Sequence, residues 1–231
     1  MTTVAHRLQV VRERIAAACS RARRRVEDVR IVAVTKTQPC SVVREAILAG
    51  VDAIGENRVQ EAAAKRPKVG EPISWHLVGP LQRNKARTAL ELFDLIETVD
   101  RTALADRLEV LAAAAGRMVP VFLEVNVGGE AQKSGVNAAE TPRLAEAVLT
   151  TCPHLALRGL MTVPPYHPDP ERSRPHFARL RAVAEELSER FSLPPLELSM
   201  GMSEDFPVAV EEGATWVRLG RILLGERPAE P

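Results

Sequence analysis

Residues Val29–Thr35 read VRIVAVT, a β-branched run that is apolar on both faces. Such a run suits a strand covered on both sides in a parallel sheet, because a strand with one wet face alternates apolar and polar residues. Working outward, strand-like stretches recur at Val51–Ile54, Ile73–Val78, Asp94–Val99, Val119–Val127, Leu155–Met161, Leu196–Ser199 and Thr215–Gly220. Helical stretches lie between them, near Ser41–Ala49, Arg58–Lys65, Asn84–Leu92, Arg101–Ala115, Thr141–Thr150, Glu171–Phe191 and Glu204–Glu212. Eight strands alternating with helices predict an α/β fold, a (β/α)8 TIM barrel, with an open doubly wound sheet as the other topology of that pattern. Upstream, Val4, Leu8, Val11, Ile15 and Ala18 recur at helical spacing with charge between them, which places an extra N-terminal helix over Val4–Arg24.

No Gly/Ser-rich linker or low-complexity block divides the chain, so residues 1–231 are expected to form one domain. The Pro-rich stretch Val163–Pro170 falls where the loop after the sixth strand belongs. Lys plus Arg number 31 against 30 Asp plus Glu, a net charge of +1 that gives no field to attract nucleic acid or acidic lipid. Two Trp, one Tyr and five Phe are too few for a surface that stacks unpaired bases. The N-terminal stretch Met1–Arg30 is amphipathic and carries no uninterrupted apolar run of signal-peptide or membrane-span length. Cys19, Cys40 and Cys152 form no C-x-x-C pair, so neither a disulfide framework nor a metal site is expected, and reduced thiols suit a cytoplasmic protein.

In a barrel each strand sends alternate side chains to the axis and to the helices. In the fifth strand Val121, Leu123 and Val125 should face the helices and Phe122, Glu124 and Asn126 the axis. In the eighth, Val217 and Leu219 face outward, leaving Trp216, Arg218 and Gly220 inside. Lys36 follows Val32 and Val34 at the end of the first strand, and His76 shares a face with Ser74. Lys36, Glu124, Arg218 and His76 therefore converge at the end of the barrel where active sites lie, and buried charges there need one another, a ligand or water. Each has a plain structural alternative, a solvated residue for a lysine closing a strand, a satisfied core imidazole for His76 and an internal ion pair for Glu124–Arg218, and parity alone does not choose between that and a functional role.

The last two loops add a second element. LSMGMSEDFPVAVEEGA precedes the eighth strand and TWVRLGRILLG carries it onward. In barrels these loops commonly hold phosphate on backbone N–H groups at short helix N-termini. Ser203, before Glu204 and Asp205, is placed to cap a helix and to donate to phosphate, while Gly220 before Arg221 lets an anion approach the backbone ahead of a short turn at Ile222–Leu224. A lysine facing a phosphate site suggests a ligand that forms an imine. The amine attacks an aldehyde only when neutral, and a neighbouring cation such as Arg218 would favour that form.

The blocks VAVTKTQP (Val32–Pro39), GENRVQE (Gly55–Glu61), WHLVGPLQRNK (Trp75–Lys85), EVNVGGEAQKSGV (Glu124–Val136), LRGLMTVPP (Leu157–Pro165) and LSMGMSEDFPVAVEEGATWVRLG (Leu198–Gly220) resemble the pyridoxal 5′-phosphate homeostasis protein family along essentially the whole chain. The resemblance departs only at GGE (Gly128–Glu130) and at Pro80. It implies an alanine-racemase-like, single-domain barrel holding pyridoxal 5′-phosphate (PLP) as an imine on Lys36. Ser203 and the backbone of Gly220 and Arg221 would hold the phosphate and Arg218 the pyridine nitrogen, with Asn57 and His76 lining the ring or strand ends. It further implies a cytoplasmic monomer that buffers PLP and delivers it to PLP-dependent apoenzymes, with no assigned reaction.

Two enzymatic alternatives fit the same parts. One is a fold-type III racemase, which resembles this chain only in its barrel: such enzymes draw a catalytic Tyr from a second domain, and the one Tyr here, Tyr166, sits in a loop. An Arg at the ring nitrogen also weakens the ring as an electron sink. The other is a class I aldolase using Lys36 on a sugar phosphate. Lys133 is either a second amine near the site or surface charge.

Overall fold

The computed structural model describes residues 3–130 and 132–225, so Ala131 and both ends of the predicted 1–231 domain lie outside the described residues. The chain opens with α1 (Val4–Ala22), then β1 (Arg30–Val34), α2 (Cys40–Ala49), β2 (Ala53–Glu56), α3 (Val59–Val69), β3 (Ser74–Leu77), α4 (Ala86–Leu92), β4 (Leu95–Val99) and α5 (Thr102–Ala114). It continues with β5 (Val119–Asn126), β6 (Val136–Asn137), α6 (Thr141–Thr151), β7 (Leu155–Met161), α7 (Arg174–Phe191), β8 (Glu197–Ser199), α8 (Phe206–Glu211), β9 (Trp216–Leu219) and α9 (Arg221–Leu224).

The pairing β1-β2-β3-β4-β5-β7-β8-β9, closed by β9 on β1, is parallel throughout and makes the predicted (β/α)8 barrel. The doubly wound alternative would have left two edges, and the β4–β5 pairing removes them. The two-residue β6, which extends the end of β5, was not predicted, because two residues carry no periodicity. β2 lies two residues later than Val51–Ile54, which makes Glu56 its last residue.

Val121, Leu123, Val125, Val217 and Leu219 join the layer between sheet and helices. Val32, Ala53, Leu95, Phe122, Met161 and Trp216 pack together as a separate cluster inside the barrel. A register shift in β4 between Ile96 and Val99 turns both of these outward. At the strand N-termini, Glu197 accepts the Trp216 indole N–H at 2.7 Å and pairs with Arg30, whose guanidinium stacks 3.9 Å from the Trp216 ring. Among the described residues these side chains close the barrel floor, and a cavity opens at the other end.

α1 buries the expected Val4, Leu8, Val11, Ile15 and Ala18, and burial of each of its larger aliphatic side chains is worth roughly 1.5–3 kcal/mol. It packs on α8 and α9. Arg7 Nε donates to Leu223 O at 2.7 Å, and Arg24 donates to Val210 O and Ala214 O at 2.5 and 2.9 Å. The added helix therefore supports the two short helices that stand at the predicted phosphate end.

Candidate functional site

A cavity of ≈ 270 Å³ opens at the C-terminal end of the barrel, and Lys36, Asn57, Ser203, Arg218, Gly220 and Arg221 all line it. Six of the seven predicted site residues therefore meet at one place. The seventh, His76, lies one layer deeper, 2% exposed, its ring edge-on to Trp216 with centroids 4.8 Å apart.

Lys36 is half-buried and stands two residues beyond the last strand residue of β1. The Thr35 N–H still bonds Gly55 O at 2.9 Å, so the ladder carries the chain to the cavity rim before it turns. Thr37 then takes φ 62°, a left-handed conformation uncommon for a β-branched residue.

Arg218 forms the buried floor of the cavity at 4% exposure. Its Nη1 donates to Ser199 Oγ at 2.7 Å and its Nη2 to Thr162 O at 2.7 Å. Ser199 Oγ donates onward to Glu97 Oε2 at 2.5 Å, and Glu97 Oε1 lies 2.7 Å from His76 Nδ1. Burial pushes the Glu97 carboxyl up, but His76, Arg218 and Ser199 outweigh it and hold the group below the usual carboxylate range. Burial draws Arg218 down, opposed by Glu97, Asp205 and Glu124. A guanidinium keeps its charge in such a setting.

One reading of the sequence paired Arg218 with Glu124; the hydrogen-bonded chain runs through Ser199 to Glu97. Glu124 does face inward, 7% exposed, with its Oε2 buried and unpartnered. Burial, reinforced by Asp100 and opposed by Arg218, pushes its carboxyl up to about 7. Glu97 and Ser199 were not singled out by sequence reasoning, although a glutamate in the otherwise apolar β-branched stretch LIETV is a readable sign of an inward polar group.

Ser203 does not cap the helix that follows it in sequence, contrary to expectation. α8 begins at Phe206, and the side chain that ties down the preceding turn is Asp205, which accepts the Met202 N–H at 2.7 Å. The Ser203 hydroxyl is directed across to the first turn of α9, where it accepts the Ile222 N–H at 3.4 Å. Gly220 stands at the N-cap of α9, and a Cβ built there would meet only Val34 O at 3.6 Å. The glycine thus leaves open space beside backbone N–H groups that a side chain would fill. Arg221 is exposed at the rim and pairs with Glu204 at 3.0 Å. Of the two readings of Lys133, the structure favours surface charge, because it pairs with Glu130 at 2.5 Å and does not line this cavity. Tyr166 is 77% exposed. Among the described residues no group of three or more His, Cys, Asp or Glu is placed to hold a metal, and no helix is long and apolar enough to cross a membrane.

A parallel barrel whose open end combines a lysine, a buried arginine and a glycine-led helix start defines a class, and comparison with known proteins agrees. Residues 10–228 match the family described as alanine racemase, N-terminal domain. The chain is 42% identical over 222 residues to the pyridoxal phosphate homeostasis protein of Aquifex aeolicus, spanning 96% of this chain and 97% of that one. It is 44% identical over 230 residues to the protein of the same name from Pseudomonas aeruginosa, spanning 98% and 97%. The PipY protein of Synechococcus elongatus, solved with PLP bound, superposes with a TM-score of 0.78 at 39% identity, covering 93% of this chain and 100% of that one. The chain belongs to the pyridoxal phosphate homeostasis protein family.

Proposed function

We propose that this protein binds PLP at the cavity, with Lys36 as the amine that takes up its aldehyde, and serves PLP homeostasis by holding and releasing the cofactor. The observation that carries this is the convergence on one ≈ 270 Å³ cavity of a half-buried lysine, a buried guanidinium and an open glycine at a helix start. These residues suit the group chemically. The Ser203 hydroxyl and the backbone at Gly220 and Arg221 supply donors for a phosphate, and Arg218 presents a charged donor where a ring nitrogen needs an acceptor's partner. Asn57 contributes a polar wall, and His76 acts from below by holding Glu97, which through Ser199 keeps Arg218 in place. When bound, PLP supplies an aldehyde that condenses reversibly with amines and an aromatic ring that accepts electron density.

The family's name describes homeostasis, whereas the matched domain description is that of an enzyme. Two observations favour a carrier without an assigned reaction. A permanently charged Arg218 weakens the ring as an electron sink, and the one Tyr of the chain is 77% exposed in a loop. We place the protein in the cytoplasm as a monomer, with PLP-dependent apoenzymes as recipients. The test is Lys36→Ala: the purified variant should remain folded and lose the visible absorbance of bound PLP, and borohydride should fix the label on Lys36 in the parent. A yellow variant with the label elsewhere would overturn the assignment.

A further inference from the structure

The sequence block GENRVQE contributes more than Asn57. Lys65, on α3, is 9% exposed and donates to three oxygens: Thr35 O at 2.7 Å, Glu56 Oε1 at 2.8 Å and Glu61 Oε2 at 3.2 Å. Glu61 Oε2 also accepts the Thr37 N–H at 2.8 Å. Glu56, fully buried at the end of β2, accepts the Thr35 hydroxyl at 2.6 Å. Thr35 O belongs to the peptide that enters Lys36, and the Thr37 N–H to the peptide that leaves it. Both peptide planes around Lys36 are therefore tied to one ion pair supplied by α3. None of Glu56, Glu61 or Lys65 lines the cavity.

Such an arrangement exceeds what a buried ion pair needs for its own satisfaction. Glu56 Oε1 and Thr35 O take two of the three Lys65 donors and Glu61 takes the third, yet the same Glu61 oxygen reaches past Lys65 to the Thr37 amide. That amide sits on the one left-handed residue of this turn, at φ 62°, where the direction of the chain after Lys36 is decided. Without an acceptor for that N–H, the β-branched Thr37 has every steric reason to relax into an extended conformation and to swing the Lys36 backbone with it.

We propose that Glu61 and Lys65 are positioning residues that clamp the peptides on either side of Lys36 and so pre-organise its amine for the cofactor aldehyde. The proposal rests on the reading that Lys36 is the attachment point. Pre-organisation of this kind raises the apparent affinity of covalent attachment without adding a contact to the ligand.

The test uses the full chain as parent, Glu61→Ala, Glu61→Asp and Glu61→Gln. Three quantities are read on folded protein: thermal midpoint, the PLP concentration that half-labels Lys36 after borohydride reduction, and affinity for inorganic phosphate. Glu61→Ala should need about tenfold more PLP, the scale of one lost hydrogen bond to a charged acceptor. Glu61→Asp, which folds with the charge retained but is one methylene too short to reach both partners, should lose about as much. Glu61→Gln keeps an oxygen for the Thr37 N–H and should stay within about threefold of the parent. Phosphate affinity should be equal in all four, because that end of the cavity is built from other elements.

Parent-like labelling by Glu61→Ala or Glu61→Asp, whatever happens to the thermal midpoint, would reduce the cluster to a structural ion pair and overturn the proposal. Equal weakening of labelling and phosphate affinity would overturn it too, since general loosening would then explain both. Failure of the underlying reading looks different: the parent itself would then carry its label away from Lys36 or not at all.

Discussion

The chain Arg218–Ser199–Glu97–His76 allows the role of a buried charge beneath the cavity to be measured in isolation. In Glu97→Gln the amide oxygen can still accept from Ser199 Oγ and the amide nitrogen can still face His76 Nδ1, so the variant removes the negative charge and keeps the shape. The Ser199 hydroxyl bridges Arg218 and Glu97 with bonds of 2.7 and 2.5 Å, so the two charges lie close on either side of it. At about 5 Å and an effective dielectric of about 20, their attraction is about 3 kcal/mol. Urea denaturation of the cofactor-free proteins at pH 7 should show that loss as a lower midpoint at unchanged slope.

Its pH dependence has a definite sign. The carboxyl of Glu97 is held below its ordinary value in the folded state. Its stabilisation is then complete above the unfolded carboxylate value of about 4.3 and disappears as pH falls through the folded one. The gap between parent and variant should close in acid. A loss below about 1 kcal/mol at pH 7, or a gap that persists in acid, would show that Arg218 is neutralised by other groups and refute this account.

Glu124 should behave in the opposite sense. With its folded value raised to about 7, the neutral form stabilises the native state below the ordinary value, and that contribution is lost as pH rises through 7. Glu124→Gln should therefore gain on the parent by up to about 3 kcal/mol between pH 5 and pH 8; a constant difference in urea stability across that range would contradict it. Gly79→Ala tests the rim: an added Cβ would stand 2.3 Å from Asn57 O and 2.7 Å from its Cα. It should cost roughly 1–3 kcal/mol and weaken PLP retention by displacing Asn57, whereas a parent-like thermal midpoint and release rate would count against that contact.

Much of the site was legible because barrel topology converts chain order into position. Once VRIVAVT is taken as an inner strand, Lys36 must stand near its C-terminal end, and Ser203, Gly220 and Arg221 must stand on the neighbouring loops. The structure places all four around one cavity. Parity alone put Phe122 and Trp216 inside and Val217 and Leu219 outside, and the packing follows it. Ser203 shows where local rules stopped: a serine before two acids looks like a cap for the helix that follows, but α8 starts later and the hydroxyl serves the first turn of α9.

The alternation of β-branched runs and helical stretches, a property of the chain's own periodicity, determined a parallel α/β sheet and the residues at its strand tips, while the β4–β5 pairing that closes it into a barrel is tertiary. Which charges pair was decided only in three dimensions. Glu97 and Ser199 are 102 residues apart and Thr35 and Lys65 are 30 apart, so no spacing in the sequence couples them. Desolvation made those choices, because a carboxylate or ammonium carried inward by the pleat must take whatever partner the closed sheet brings within hydrogen-bond reach.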